Sequence, residues 1–184
     1  IGQDAHEEHS HSHSEDNQHG HRHGIDPHIW MSIHNARSMG ELIHSELLDL
    51  LPGDVPILED RWAHFVDLLD SLHDSIQLIL DGKEDLHFMI YHPALSYFAR
   101  DYHLNQHALE FEGKIPSPAH MKRMADLGVD MDIRAILIQK EFNRENAEIL
   151  ANDIGAEIIQ IDPLDQDWYG QMVYIARTLA ESIQ

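Results

Sequence analysis

RAILIQKEFNRENAEILANDIGAEIIQI, residues 134 to 161, decides the fold. A short apolar run, RAILI (134 to 138), leads into a stretch of helical character, NRENAEILANDIG, and then into a second apolar run, AEIIQI (156 to 161). Strand, helix and strand in that order make the repeating unit of a parallel sheet. The same alternation runs through the chain on either side. LHFMIY (86 to 91) and HALEF (107 to 111) read as two earlier strands, with PALSYFARDY and SPAHMKRMADLG as helices between runs and QDWYGQMVYIARTLAESI as the last helix. Four alternations predict an α/β unit over residues 83 to 184, a four-stranded parallel sheet with flanking helices on both faces.

The residues before this unit follow a different rhythm. IDPHIWMSIHNARSMGELIHSELLDLL starts with Pro27, which suits a helix start, and keeps helical spacing through Leu50 until Pro52 and Gly53 stop it. In the next segment Trp62, Phe65, Val66, Leu69, Leu72, Ile76 and Ile79 recur at intervals of three and four. One long amphipathic helix is expected from residue 59 to 80, ending at Asp81-Gly82, with a length of about 30 Å. The chain thus divides into residues 1–24, 25–58, 59–82 and 83–184.

Residues 1–24 contain HEEHSHSHSEDNQHGHRHG, in which His6, His9, His11, His13, His19, His21 and His23 alternate with Ser, Gly and carboxylates. With almost no apolar residues to bury, such a tract is expected to be disordered and to gather metal ions, because imidazole is the commonest protein metal ligand. A plain solvated tail is the other reading. The first ten residues, IGQDAHEEHS, carry neither a basic nor an apolar leader region, and the chain does not open on Met, so a mature product or a fragment is expected.

Charge and composition narrow the chemistry further. Twelve Lys and Arg against 33 Asp and Glu give a net charge of −21, which repels nucleic acid and concentrates cations. Without cysteine there is no disulfide, no thiolate zinc site and no thiol nucleophile, so His and carboxylate are the available metal chemistry. No apolar run reaches the ~20 residues needed to span a bilayer.

Three segments place a potential metal ligand beside proline at an element boundary: Asp26-Pro27-His28, His92-Pro93 and Asp162-Pro163. His92 and Asp162 follow predicted strands, and the carboxyl ends of strands line the binding crevice of open parallel sheets. Each also has a plainer explanation. Asp162 would cap the turn before the last helix, His92 would be a satisfied strand-end histidine, and His28 would belong to the preceding tract.

DPHIW, FMIYHPALSYFARDYHL, PSPAHMKRMADLG and AILIQKEFNRENAEILANDIGAEIIQIDPL together resemble the C-terminal part of the metal-binding solute-binding proteins of zinc and manganese ABC transporters. The resemblance covers most of residues 25 to 184 in the same order. It implies two α/β lobes joined by a long rigid helix, with one metal ion in the cleft between them. Residues 25–58 would be the remnant of a first lobe and supply His28, the helix at 59–80 would be the connector, and the second lobe would supply His92 and Asp162. The expected cargo is Zn(II), with Mn(II) less favoured because His stands at position 92 where manganese members tend to have a carboxylate. An ABC permease is the implied partner, and a periplasmic or extracytoplasmic location, lipid-anchored in the full-length protein, follows with it. The earlier strands and the additional His ligand of the first lobe are missing. The chain is then a fragment, or its primary site is incomplete.

Two other functions compete with this one. A zinc-dependent hydrolase would need three ligands, an open position and a base, for which Glu112 and the Asp130-x-Asp132 pair are weak candidates beside a solvated-loop explanation. A His-rich metal buffer or metallochaperone would do all its binding through residues 1–24.

Overall fold

The computed structural model of the protein describes residues 25–110 and 113–182. The seven histidines of the N-terminal tract and Glu112 lie outside the described residues. Four parallel strands form one sheet: β1 (His87–Ile90), β2 (Asn105–Ala108), β3 (Ala135–Gln139) and β4 (Glu157–Ile161), in the order β2-β1-β3-β4. The α/β class read from the sequence is the class observed.

Strand periodicity explains how this sheet is covered on both sides. Successive side chains of a strand face opposite ways. Phe88, Ile90, Ala135 and Leu137 therefore enter one core cluster, and Met89, Ile136 and Ile138 enter the other. The first cluster is closed by Met172, Ile175 and Leu179 of helix α6 (Trp168–Glu181) and by Leu69, Leu72 and Ile76 of helix α2 (Val55–Ile79). The second is closed by Ala147 and Leu150 of α5 (Glu145–Ile154), with Met121 and Met124 of α4 (Pro118–Asp130) packed against it. A short helix, α3 (Ser96–Asp101), joins β1 to β2.

Three elements differ from their sequence-based bounds. The second strand, expected at 107–111, begins at Asn105, whose N–H donates to Leu86 O at 2.8 Å. Because β2 is an edge strand, its polar Asn-Gln-His start costs little there. The long helix begins at Val55 rather than 59, with Pro56 in its first turn where a missing N–H is harmless, and its 25 residues span about 37 Å. The expected helix from Pro27 is a 3-10 turn (Ile29–Met31) followed by α1 (Ile33–Leu50). The break falls at Ser32, held extended at φ −129° and ψ 128°. Its buried hydroxyl accepts from Asn35 N and donates to Asp101 on α3, so the cap fixes where α1 starts and ties residues 26–32 to the sheet unit.

Helices α1 and α2 pair as a hairpin, and one face of the pair is uncovered. Leu42, Ile43, Leu50 and Ile57 are 57 to 71% exposed, and a groove of about 290 Å³ runs between Gly40, Ile43, His44, Trp62 and Phe65. Apolar exposure of this extent on neighbouring turns is what helices lacking a covering layer show.

Candidate metal centre

The connections of β1 and β3 leave the sheet in opposite directions, since β1 leads to the outer strand β2 and β3 leads to β4 on the other side. A crevice opens at the carboxyl ends of strands at such a switch point. His92 stands there, two residues past the end of β1. Gln139, the last residue of β3, donates from Nε2 to His92 O at 2.8 Å and fixes the backbone that carries the imidazole. Gln139 Oε1 is buried without a hydrogen-bond partner among the described residues.

Backbone pairing continues past β2 as Glu110 N donates to Tyr91 O at 2.8 Å, and this places Glu110 beside His92. The Glu110 carboxylate is 3% exposed; Oε2 accepts from His92 Nδ1 at 2.6 Å and Oε1 accepts from Gly113 N. On the other wall Asp26 Oδ1 accepts from both the backbone N (2.9 Å) and the ring Nδ1 (2.7 Å) of His28. Burial pushes the Asp26 carboxyl up, but the hydrogen bonds from His28 N, Ser96 and the His28 ring outweigh it and hold the group below the ordinary carboxylate range.

A pair of tryptophans fastens the His28 segment to this crevice. Trp30 Nε1 donates to Pro163 O at 3.0 Å, and Trp168 Nε1 donates to Trp30 O at 3.1 Å. Tyr97 OH adds a bond to Asp26 O at 3.1 Å. A residue 64 positions before His92 is thereby brought against it.

The two carboxylates determine what the two imidazoles can do. A carboxylate oxygen accepts, so the Nδ1 of each ring is the atom that donates to it, which leaves Nε2 as the atom able to offer a lone pair to a metal. Those Nε2 atoms stand 3.3 Å apart. Two nitrogens bound to one tetrahedral Zn(II) at 2.0–2.1 Å are separated by about 3.3 Å. The cavity they share, about 220 Å³, is walled by Trp30, Gln139, Phe142 and Pro163, and the Phe142 ring stacks on His92 with centroids 5.2 Å apart.

Asp162 is at the same end of the sheet, after β4, and the next two residues line the cavity. Its carboxylate does not join the imidazoles. Oδ2 accepts from Lys140 Nζ and Oδ1 from Leu164 N at 3.1 Å, and the Lys140 hydrogen bond holds its carboxyl below the usual range. Among the described residues no group of three or more His, Asp or Glu side chains is gathered closely enough to hold an ion. Of the three residues expected from the sequence, the structure brings His28 and His92 together and leaves Asp162 paired with Lys140.

Glu110 and Lys140 were not singled out from the sequence. A carboxylate inside the apolar run HALEF was the available signal for the first, since a buried acid needs a partner. The lysine directly after RAILIQ offered none. Other histidines find partners elsewhere: His87 Nδ1 and His107 Nε2 are 2.8 Å apart on neighbouring strands, and His73 Nδ1 is 3.3 Å from Tyr102 OH.

An open α/β unit whose sheet ends in facing imidazoles, each oriented by its own carboxylate, presents the kind of nitrogen donors that divalent transition metals take. Residues 2–182 match the family described as zinc-uptake complex component A, periplasmic (ZnuA), and the chain belongs to that family. The solved structure of a ZnuA superposes with a TM-score of 0.82 at 31% identity, covering 85% of this chain and 61% of that one. A ZnuA deletion mutant with zinc bound gives 0.80 at 31% identity, over 85% and 60%. The zinc-binding protein AdcA of Streptococcus pyogenes serotype M3 is 27% identical over 172 residues, which are 90% of this chain and 33% of that protein. The periplasmic zinc-binding protein TroA of Treponema pallidum shares the fold, with a TM-score of 0.74 at 19% identity over 85% of this chain and 63% of that one. The chain spans between a third and just over half of the length of the curated relatives it matches.

Proposed function

We propose that this chain is the zinc-capturing portion of an extracytoplasmic solute-binding protein, which takes up Zn(II) between two lobes and delivers it to an ABC permease in the cytoplasmic membrane. The observation that carries the reading is the 3.3 Å separation of His28 Nε2 and His92 Nε2, with a carboxylate behind each ring. Binding rather than catalysis is the task. Imidazole nitrogens favour Zn(II) over the harder Mn(II), and Asp162 is the third ligand in this reading, moving from Lys140 to the ion. Residues 25–58 act as part of the first lobe, 59–82 as the connecting helix and 83–184 as the second lobe. The His-rich residues 1–24 gather metal ions for the site, and a lipid anchor would keep the protein near the permease.

The test is a chelator-competition titration with Zn(II) on the chain lacking residues 1–24, with His28→Ala and His92→Ala alongside. One tight equivalent is expected, weakened at least about tenfold by either variant, the low end of losses on disturbing a zinc site. A tight equivalent unchanged in both variants would remove the site from this position.

A further inference from the structure

We propose that Lys140 is a tethered counter-cation that competes with the incoming metal for Asp162, so that capture requires the ammonium to leave and release is eased by its return. The inference rests on the zinc-capture reading above and deepens it.

Position comes first. β3 and β4 are parallel with Gln139 opposite Ile161, so Lys140 and Asp162 occupy the next rung beyond the sheet, where the strands end at the crevice. Lys140 Nζ holds Asp162 Oδ2, while Leu164 N holds Oδ1 at 3.1 Å. Both oxygens of the carboxylate are therefore engaged, one by a backbone turn and one by a cation. The Asp162 side chain is 17% exposed and Lys140 54% exposed, so the lysine can swing into solvent with its charge hydrated, whereas the Leu164 N–H keeps the carboxylate next to the cavity that Pro163 and Leu164 line.

The charge balance supplies the reason for the lysine. Asp26 and Glu110 already stand behind the two imidazoles, Glu141 lines the cavity and Asp162 follows β4. Without a compensating cation this cluster of four carboxylates would repel itself when no metal is present. Lys140 neutralises the member that follows β4, Asp162. A dication entering between His28 and His92 then meets a carboxylate that is already occupied, and its gain from Asp162 is reduced by the cost of separating the ion pair.

The experiment uses the full chain with Zn(II) as probe, in chelator competition and stopped-flow release, on Lys140→Met, Lys140→Arg, Asp162→Asn and the Lys140→Met/Asp162→Asn pair. Lys140→Met is expected to bind Zn(II) about two- to fivefold more tightly and release it correspondingly more slowly, the range set by an exposed ion pair. That gain should shrink as ionic strength rises. Lys140→Arg keeps the cation and should behave as the parent. In the Asp162→Asn background Lys140→Met should change nothing, because the pair it breaks is already gone. The His-rich segment is the same in every variant and drops out of the comparison. Weaker binding by Lys140→Met, or a gain that persists in the Asp162→Asn background, overturns the inference. Unaltered binding in His92→Ala instead removes the zinc site itself, which separates failure of the site from failure of the lysine's role.

Discussion

Glu110 and His92 form a deeply set hydrogen-bonded contact in the candidate metal centre: the carboxylate is 3% exposed and its Oε2 lies 2.6 Å from His92 Nδ1. Such a carboxylate fixes both the tautomer and the basicity of the ring it faces. Glu110→Gln keeps the shape and an acceptor but removes the charge. It should weaken Zn(II) binding by about tenfold, with Glu110→Ala nearer the ~100-fold end of the range for such partners. Chelator competition reads the affinity, and a thermal melt of the metal-free variants separates this effect from loss of fold. Parent-like affinity in a folded Glu110→Ala protein would show that the contact is structural only.

Four single alanine variants distinguish the crevice from the rest of the chain. His92→Ala and Asp162→Ala should each weaken the tight site, since both follow strands at the end where His28 and the cavity lie. His73→Ala, beside Tyr102 on α2, and His120→Ala, in the first turn of α4, should leave it within about twofold, the scatter of neutral surface changes. Equal losses in all four titrations would sink the assignment.

Acid stability should depend on Asp26. Its folded carboxyl is held below its ordinary 3.8, so the unfolded chain takes up a proton at higher pH than the folded one. The contribution is therefore fully present above that ordinary value and is lost as pH falls through the folded value. In denaturant titrations with metal chelated, Asp26→Asn should be less stable than the parent near pH 7. The gap should narrow as pH drops below about 4, where the parent's carboxylate also becomes neutral. A gap that stays constant down to acid pH would mean that Asp26 acts through shape rather than charge.

Gly40 tests how closely α1 and α2 pack. A Cβ there would lie 2.5 Å from Phe65 Cε1 and 3.0 Å from Trp62 Cζ3, while Gly53 has nothing within 4 Å. Ala gains about 1 kcal/mol of helix propensity over Gly, but overpacking of this kind costs about 1–3 kcal/mol. Gly40→Ala should lose about 1 kcal/mol net, a Tm decrease of roughly 2–4 °C for a domain of this size. Gly53→Ala should not fall. Calorimetry on both variants checks it.

Much of this arrangement was legible along the chain. Apolar runs at 86–91, 134–138 and 156–161 specify strands because a sheet covered on both faces buries side chains at every position, as it does along β3. Helical spacing from Trp62 to Ile79 likewise specifies one long helix, since only one stripe of it meets the core. Proline-flanked His92 and Asp162 marked strand ends, and strand ends carry ligands. These are local properties, written in periods of two and 3.6.

Tertiary structure decided what depends on distance in sequence. Ser32 caps α1 locally through Asn35 N, but its reach to Asp101 on α3 is a contact that no local pattern of α1 contains. The polar Asn105-Gln106 start of β2 was tolerated because the sheet order puts that strand at the edge. His28 faces His92 because Trp30 and Trp168 fasten its segment to the β4–α6 connection, with Tyr97 and Asp101 holding the same segment from α3. Glu110 and Lys140 acquired their partners from the parallel register of β1 with β2 and of β3 with β4. Side-chain pairing at a sheet end is fixed by which strands become neighbours, and that follows from packing the whole core rather than from the residues on either side of a ligand.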